Sequence, residues 1–248
     1  MATATIYGAT TDGYLRKSGT NWHTVREAEA ADTVYSNDYL AIGWVVTAGT
    51  YYLARDYLYF DTSAIPVTAT ITTATLTLKI ASEDAPPVGH EIVLMNGQPT
   101  YPSSPLVVGD FNRLLYASGG APNVKVWPGD TSERFVLNAT GLASWINKGG
   151  TTKLCLMSEF DVSPTAPGSG MQVTFWSADK GGAYRPVLYV EYGEKPAVTT
   201  NAADGLGTTY AIGHGTIDSA GDSAVTEYGV IWNNNGSDPV NIASADHK

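Results

Sequence analysis

Between Arg55 and Ile80 the chain reads "RDYLYFDTSAIPVTATITTATLTLKI", and the period of that stretch constrains the architecture more than anything else in the sequence. Ala74, Leu76, Leu78 and Ile80 alternate with Thr73, Thr75, Thr77 and Lys79. A period of two puts apolar side chains on one face of a strand and hydroxyls or charge on the other, so a strand with one wet face is predicted. Upstream, Leu58 and Phe60 share a face while Tyr57 and Tyr59 take the opposite one. Asp61 ends that first strand. Pro66 has no amide to give to a ladder, which makes the join a loop.

The same reading extends along the chain. "YLAIGWVV" (Tyr39 to Val46), Glu91 to Met95, "RFVLN", "KLCLMSEF", "MQVTFWSA" and "PVLYVEYG" read as strands, and "TVREAEAADT" as mixed helix and extended chain. Between them, "QPTYPSSPLVVGDFNRLLYASGGAPNVKVWPGDTSE" is dense in Pro, Gly and Ser and reads as long loops, where function often sits. Leu142, Trp145 and Ile146 fall at i, i+3, i+4 and predict a short helix, with Thr140 capping its start and Gly149-Gly150 ending it. The expected fold is all-β, a jelly-roll β-sandwich with one short helix. Residues 1–11 form an N-terminal arm, 12–193 the sandwich and 194–198 a linker through Glu194-Lys195-Pro196. Residues 199–248 form a small C-terminal β segment, short for an independent core.

Charge narrows the partners. Only 15% of residues are charged, against about 25% in ordinary globular proteins. With 24 acidic and 14 basic residues the formal net charge is -10, which argues against binding nucleic acid or an anionic membrane surface. No segment approaches the roughly 18 apolar residues of a spanning helix, so no membrane insertion is expected. Cys155 is the single cysteine, which precludes an intrachain disulfide; set among alternating apolar residues in "KLCLMS", it reads as a buried, inert thiol. "MATATIYGATTDGYL" lacks the basic and apolar regions of a secretory signal, so folding in the cytosol is expected.

Little reads as catalysis. His23, His90, His214 and His247 are scattered, and there is no phosphate loop or nucleophile elbow. Glu159 and Asp161 are expected on one strand face, as solvated carboxylates rather than a glycosidase pair. The chain is therefore not expected to be an enzyme. Aromatic side chains are the remaining functional material: 15 Tyr, 6 Trp and 5 Phe. Trp145 and Phe60 belong to the core by their patterns. Trp44, Tyr57, Tyr59, Tyr101, Tyr116 and Trp127 are the candidates for exposed rings that stack on sugars or anchor a protein interface, with half-buried structural rings as the alternative.

Four segments in order, "DGYL", "RDYLYFDTSAIP…ATITTATLTLKI", "VLNATGLASWINKG" and "FWSADKGGAYRPVLYVEY", span Asp12 to Tyr192. Together they resemble the DNRLRE-domain family, jelly-roll modules of secreted and surface proteins related to some carbohydrate-binding modules. The chain departs from that family in its long Pro-rich middle, where "KVWPGD" stands in place of a Trp-rich segment. "SAVTEYGVIWN" in the tail is similar to fibronectin type III or bacterial Ig-like modules. The resemblance implies a non-catalytic role in adhesion, display or glycan contact. It also implies a structural calcium near the first strand, with Asp12 and Glu191, from strands expected to be neighbours, as ligands. The expectation that follows is a virion surface protein of a tailed phage, a capsid decoration, fibre or tail-tip component folded in the host cytoplasm. Its partners would be copies of itself in a homo-oligomer, other virion proteins and, weakly, a host surface glycan. The alternative is an extracellular carbohydrate-binding or adhesin module of a bacterium or archaeon; a polysaccharide-degrading enzyme ranks third.

Overall fold

Strands account for most of the ordered backbone, as the period-two runs require. The computed structural model describes residues 1–84, 90–163, 166, 170–205, 207, 211–222, 225 and 228–231. In chain order the strands are β1 (Ala2–Tyr7), β2 (Gly13–Gly19), β3 (Thr33–Tyr35), β4 (Tyr39–Thr47), β5 (Thr50–Asp61), β6 (Thr70–Asp84) and β7 (His90–Met95). They continue as β8 (Val124–Val126), β9 (Ser132–Val136), β10 (Thr151–Ser158), β11 (Met171–Trp176), β12 (Val187–Gly193), β13 (Ala197–Asp204) and β14 (Ile212–Ser219). Three short helices interrupt them, α1 (Trp22–Arg26), α2 (Ala139–Ser144) and α3 (Glu159–Val162), where the sequence predicts one.

Thr3–Tyr192 form one compact unit, an all-β sandwich. One layer runs β1-β12-β6 with β9 on β6; the other runs β11-β4-β5-β10-β7-β8, with β2 on β5 and β3 on β2. β6 serves both layers. Its Thr75–Lys79 pair with β9, and beyond an irregularity at Ile80 its end pairs with β11. Residues 2–7, within the expected N-terminal arm, form the edge strand β1, hydrogen-bonded to β12.

The core between the layers follows the predicted parity. Ala74, Leu76, Leu78 and Phe135 face Leu58, Phe60, Leu154, Leu156, Val173 and Phe175, all buried. Trp145 and Ile146 join them beyond the end of α2. The cap of that helix is Asn138 rather than Thr140. Its Oδ1 accepts the Thr140 amide at 3.0 Å and the Gly141 amide at 3.2 Å, while its Nδ2 ties back to the Gly119 carbonyl.

Gly193–Lys248 and Met1–Ala2 form a second unit. Its described strands are the antiparallel hairpin β13–β14, both of whose faces are exposed. The Ig-like resemblance rests on residues 223–233, most of which lie outside the described set.

Candidate functional site

The sequence places Tyr57 and Tyr59 opposite the sandwich core, as candidates either for exposed rings or for structural ones. That face is covered. Leu53, Tyr57, Tyr59, Val93, Met95, Cys155 and Met157 line it, and Trp22, Val25, Phe111 and Tyr116 pack over them into a second core. The cover is α1, α3 and the Pro-rich segment, read from the sequence as functional loops.

Polar groups fasten this cover to the sheet. The Tyr57 and Tyr116 hydroxyls both donate to the Asp110 carbonyl, at 2.9 and 3.0 Å, and the Tyr59 hydroxyl donates to the Ser103 carbonyl. Burial pushes all three phenols up, so they remain donors across the ordinary pH range. The buried Asp110 carboxylate accepts the amides of Ser103 and Val107, both at 2.9 Å, which closes the loop on itself.

Arg55 is the central fixing. Its Nε and Nη2 each lie 2.6 Å from an oxygen of Asp161, a bidentate pair with both side chains fully buried. It also donates to the carbonyls of Arg26 and Phe111 and lies 3.9 Å over the Phe111 ring. One side chain of β5 therefore holds α1, α3 and the Phe111 turn. Glu159 and Asp161, expected on a strand face, lie in α3 instead. Ser158 caps that helix by accepting the Phe160 amide at 3.2 Å, which turns the chain out of β10.

The aromatic candidates sort accordingly. Trp44 is buried between Trp22 and Phe160, with ring centroids 5.7 and 5.0 Å away. Tyr57, Tyr59 and Tyr116 are buried in the same core, and Tyr101 is half-buried against it. For these five the alternative reading holds, structural rings that are buried or half-buried. Trp127 alone of the six is well exposed, at 47%, in a turn closed by Asp130, whose carboxylate accepts the Trp127 amide at 2.8 Å.

A different aromatic group faces solvent. Trp176 ends β11 at an outward position of its alternation, and the Tyr184 ring stands edge-on to it with centroids 5.6 Å apart. Lys180 places its Nζ 4.3 Å over the Trp176 ring. Gly181 and Gly182, at φ of +72° and +56°, make the turn between them, a conformation that other residues adopt only with strain. Arg185, next in sequence, lies over the Tyr7 ring at 5.2 Å and donates to the Gly8 carbonyl at 2.6 Å. Tyr7 and Tyr184 are each 49% exposed. Two exposed rings and two cations thus share one rim of the sandwich. Such a rim can stack on the apolar face of a sugar and pair with an acidic substituent. Sequence reading missed it because Trp176 and Tyr184 are eight residues apart and meet only through the glycine turn.

No family model aligns to the chain, and no curated protein matches it.

The acidic candidates separate too. Glu191 lies on β12 with its carboxylate accepting the Tyr189 hydroxyl at 2.8 Å, whereas Asp12 is buried and accepts the Ala178 amide at 2.9 Å. Asp12 has Asp56, not Glu191, as its carboxylate neighbour, because β2 pairs with β5 while β12 belongs to the other layer. Cys155 is buried, and burial pushes its thiol well above the ordinary range, as an inert thiol requires. Among the described residues, no three His, Cys, Asp or Glu side chains converge.

Proposed function

We propose that the protein is a non-catalytic surface module that contacts glycan through the rim formed by Trp176, Lys180, Tyr184 and Arg185. The observation that carries the reading is the pairing of half-buried Trp176 with exposed Tyr184, with the Lys180 ammonium over the indole. Neither ring is needed to fill a core, and the neighbouring cations favour a polysaccharide bearing carboxylate or sulfate groups. The resemblance to DNRLRE-domain modules supports the same role. The setting proposed is the virion surface of a tailed phage, where such a module would serve as a decoration, fibre or tail-tip part in copies bound to one another. A titration against neutral and anionic polysaccharides tests the site. Trp176→Ala with Tyr184→Ala is expected to lose at least about tenfold in affinity, the equivalent of 1.4 kcal/mol, with the melting temperature little changed. Undiminished binding by that variant would assign the contact elsewhere.

A further inference from the structure

We propose that β1 is an interface: its free edge pairs with the same strand of a second copy, antiparallel about a two-fold axis, and joins two sandwiches through one continuous sheet. The inference rests on the reading that copies of the chain bind one another, and it names the surface by which they do so.

Among the described residues, four strands of the sandwich have a strand on one side only: β1, β3, β8 and β9. Such an edge offers a row of backbone donors and acceptors to any extended chain, and folds ordinarily blunt it by brevity, charge or proline. Three of the four are blunted. β3 and β8 are three residues long, and β8 carries Lys125, with Pro128 two residues past its end. β9 carries Glu133 and Arg134 side by side. β1, in contrast, runs six residues without charge, proline or glycine, and its Thr, Ile and Tyr are good strand formers. A net charge of -10 sets copies against one another over most of their surface, so an uncharged edge is where they meet with least repulsion.

Strand period selects the register. Thr3, Thr5 and Tyr7 are exposed, while Ala4 and Ile6 are half-buried and pack against the inner core. Directly opposite residues of an antiparallel pair point to the same face, so the two-fold must set some residue opposite its own copy. Centring it on Thr5 pairs all of Thr3–Tyr7: Thr5 meets Thr5, Ala4 meets the partner's Ile6, and Thr3 meets the partner's Tyr7. Small then packs against large on the inner face, and two hydroxyls meet on the outer one. The junction also bears on the rim, because the Arg185 guanidinium lies 5.2 Å over the Tyr7 ring. Four rises along the paired strands separate the two Tyr7, about 14 Å. Two rims on the same outer face could then hold one polysaccharide chain, gaining avidity without a new contact.

Light scattering of the full chain from micromolar to submillimolar concentration tests the interface. The mass is expected to climb to twice that of one chain and to fall on dilution, because a five-residue ladder is small beside the roughly 1,200 Å² of a stable interface. Thr3→Lys with Thr5→Lys sets like charges across the junction and should hold the protein at single mass, with the melting temperature little changed, since both positions are exposed. Thr5→Cys should link two chains by a disulfide under mild oxidation, Cys155 being buried and out of reach. Thr3→Cys, set opposite Tyr7, should link far less. The cysteine variants decide even if the lysine variant does not fold. A native chain at single mass throughout would overturn the proposal. So would an oligomer in which Thr5→Cys does not link, although copies would then bind through another surface. A dimer linked through Thr5→Cys that binds no polysaccharide would uphold the interface and count against the glycan rim alone.

Discussion

On one side of β5, Leu58 and Phe60 pack against apolar residues of the facing layer; on the other, Tyr57 and Tyr59 reach hydroxyls to loop carbonyls while Arg55 grips two helices. The first face is closed by area alone, and each contact there is non-directional and interchangeable in kind. The second is closed by a few directional bonds to backbone that has no regular partner of its own. Two faces of one strand can therefore be equally dry and fail in different ways: the inner one by cavity, the outer one by loss of a single donor.

Removing that donor should have the largest effect. Arg55→Met leaves the Asp161 carboxylate buried and unpaired, and is expected to cost about 3–5 kcal/mol. Arg55→Met combined with Asp161→Leu should recover part of that loss, and urea melts of the three proteins would measure the difference. A double variant as unstable as the single one would mean that the carbonyls of Arg26 and Phe111, not Asp161, set the cost. Tyr57→Phe removes one hydroxyl and keeps the ring; a loss of about 1 kcal/mol is expected, with hydrogen exchange rising first in the cover and not in β6 or β12.

A smaller effect separates the two faces by pH. The Arg113 hydrogen bonds hold the Glu27 carboxyl below its ordinary range, and Glu27 in turn contacts Arg26 on α1. A depressed folded value contributes stability that is present above pH 4.5 and lost as pH falls through it. Below about pH 4 the cover should loosen before the inner core, seen as dye binding or loss of near-ultraviolet signal ahead of far-ultraviolet change. Smallest of all, Trp127→Ala should alter stability by no more than about 0.5 kcal/mol, because the residue is 47% exposed and belongs to neither core.

The inner face was legible in the sequence because alternation names its residues one by one: Ala74, Leu76, Leu78, Leu58 and Phe60 are where period two puts them. The outer core was not, because Trp22, Val25, Phe111 and Tyr116 come from segments with no common period, and most of their fixings are backbone carbonyls that no side-chain pattern records. One signal was present. From Leu53 to Phe60, both parities of β5 carry apolar or aromatic residues, the mark of a strand buried on two sides. Tyrosine obscured it, since a phenol suits an exposed strand face as readily as a buried one with a carbonyl in reach. The pairing of Asp12 with Glu191 was not legible, because strand order is set by long-range pairing: β2 lies on β5, while β12 lies between β1 and β6.

Which aromatic rings meet solvent is the question on which the functional reading turns, and hydroxyl-radical footprinting of the native chain, read by mass spectrometry, answers it directly. Trp176, Tyr184, Tyr7 and Trp127 are expected to be modified quickly, with Trp44, Tyr57 and Tyr59 protected until the protein unfolds. Labelling of Tyr57 and Tyr59 at the rate of Tyr184 would contradict the covered face and return the β5 tyrosines to the candidate surface.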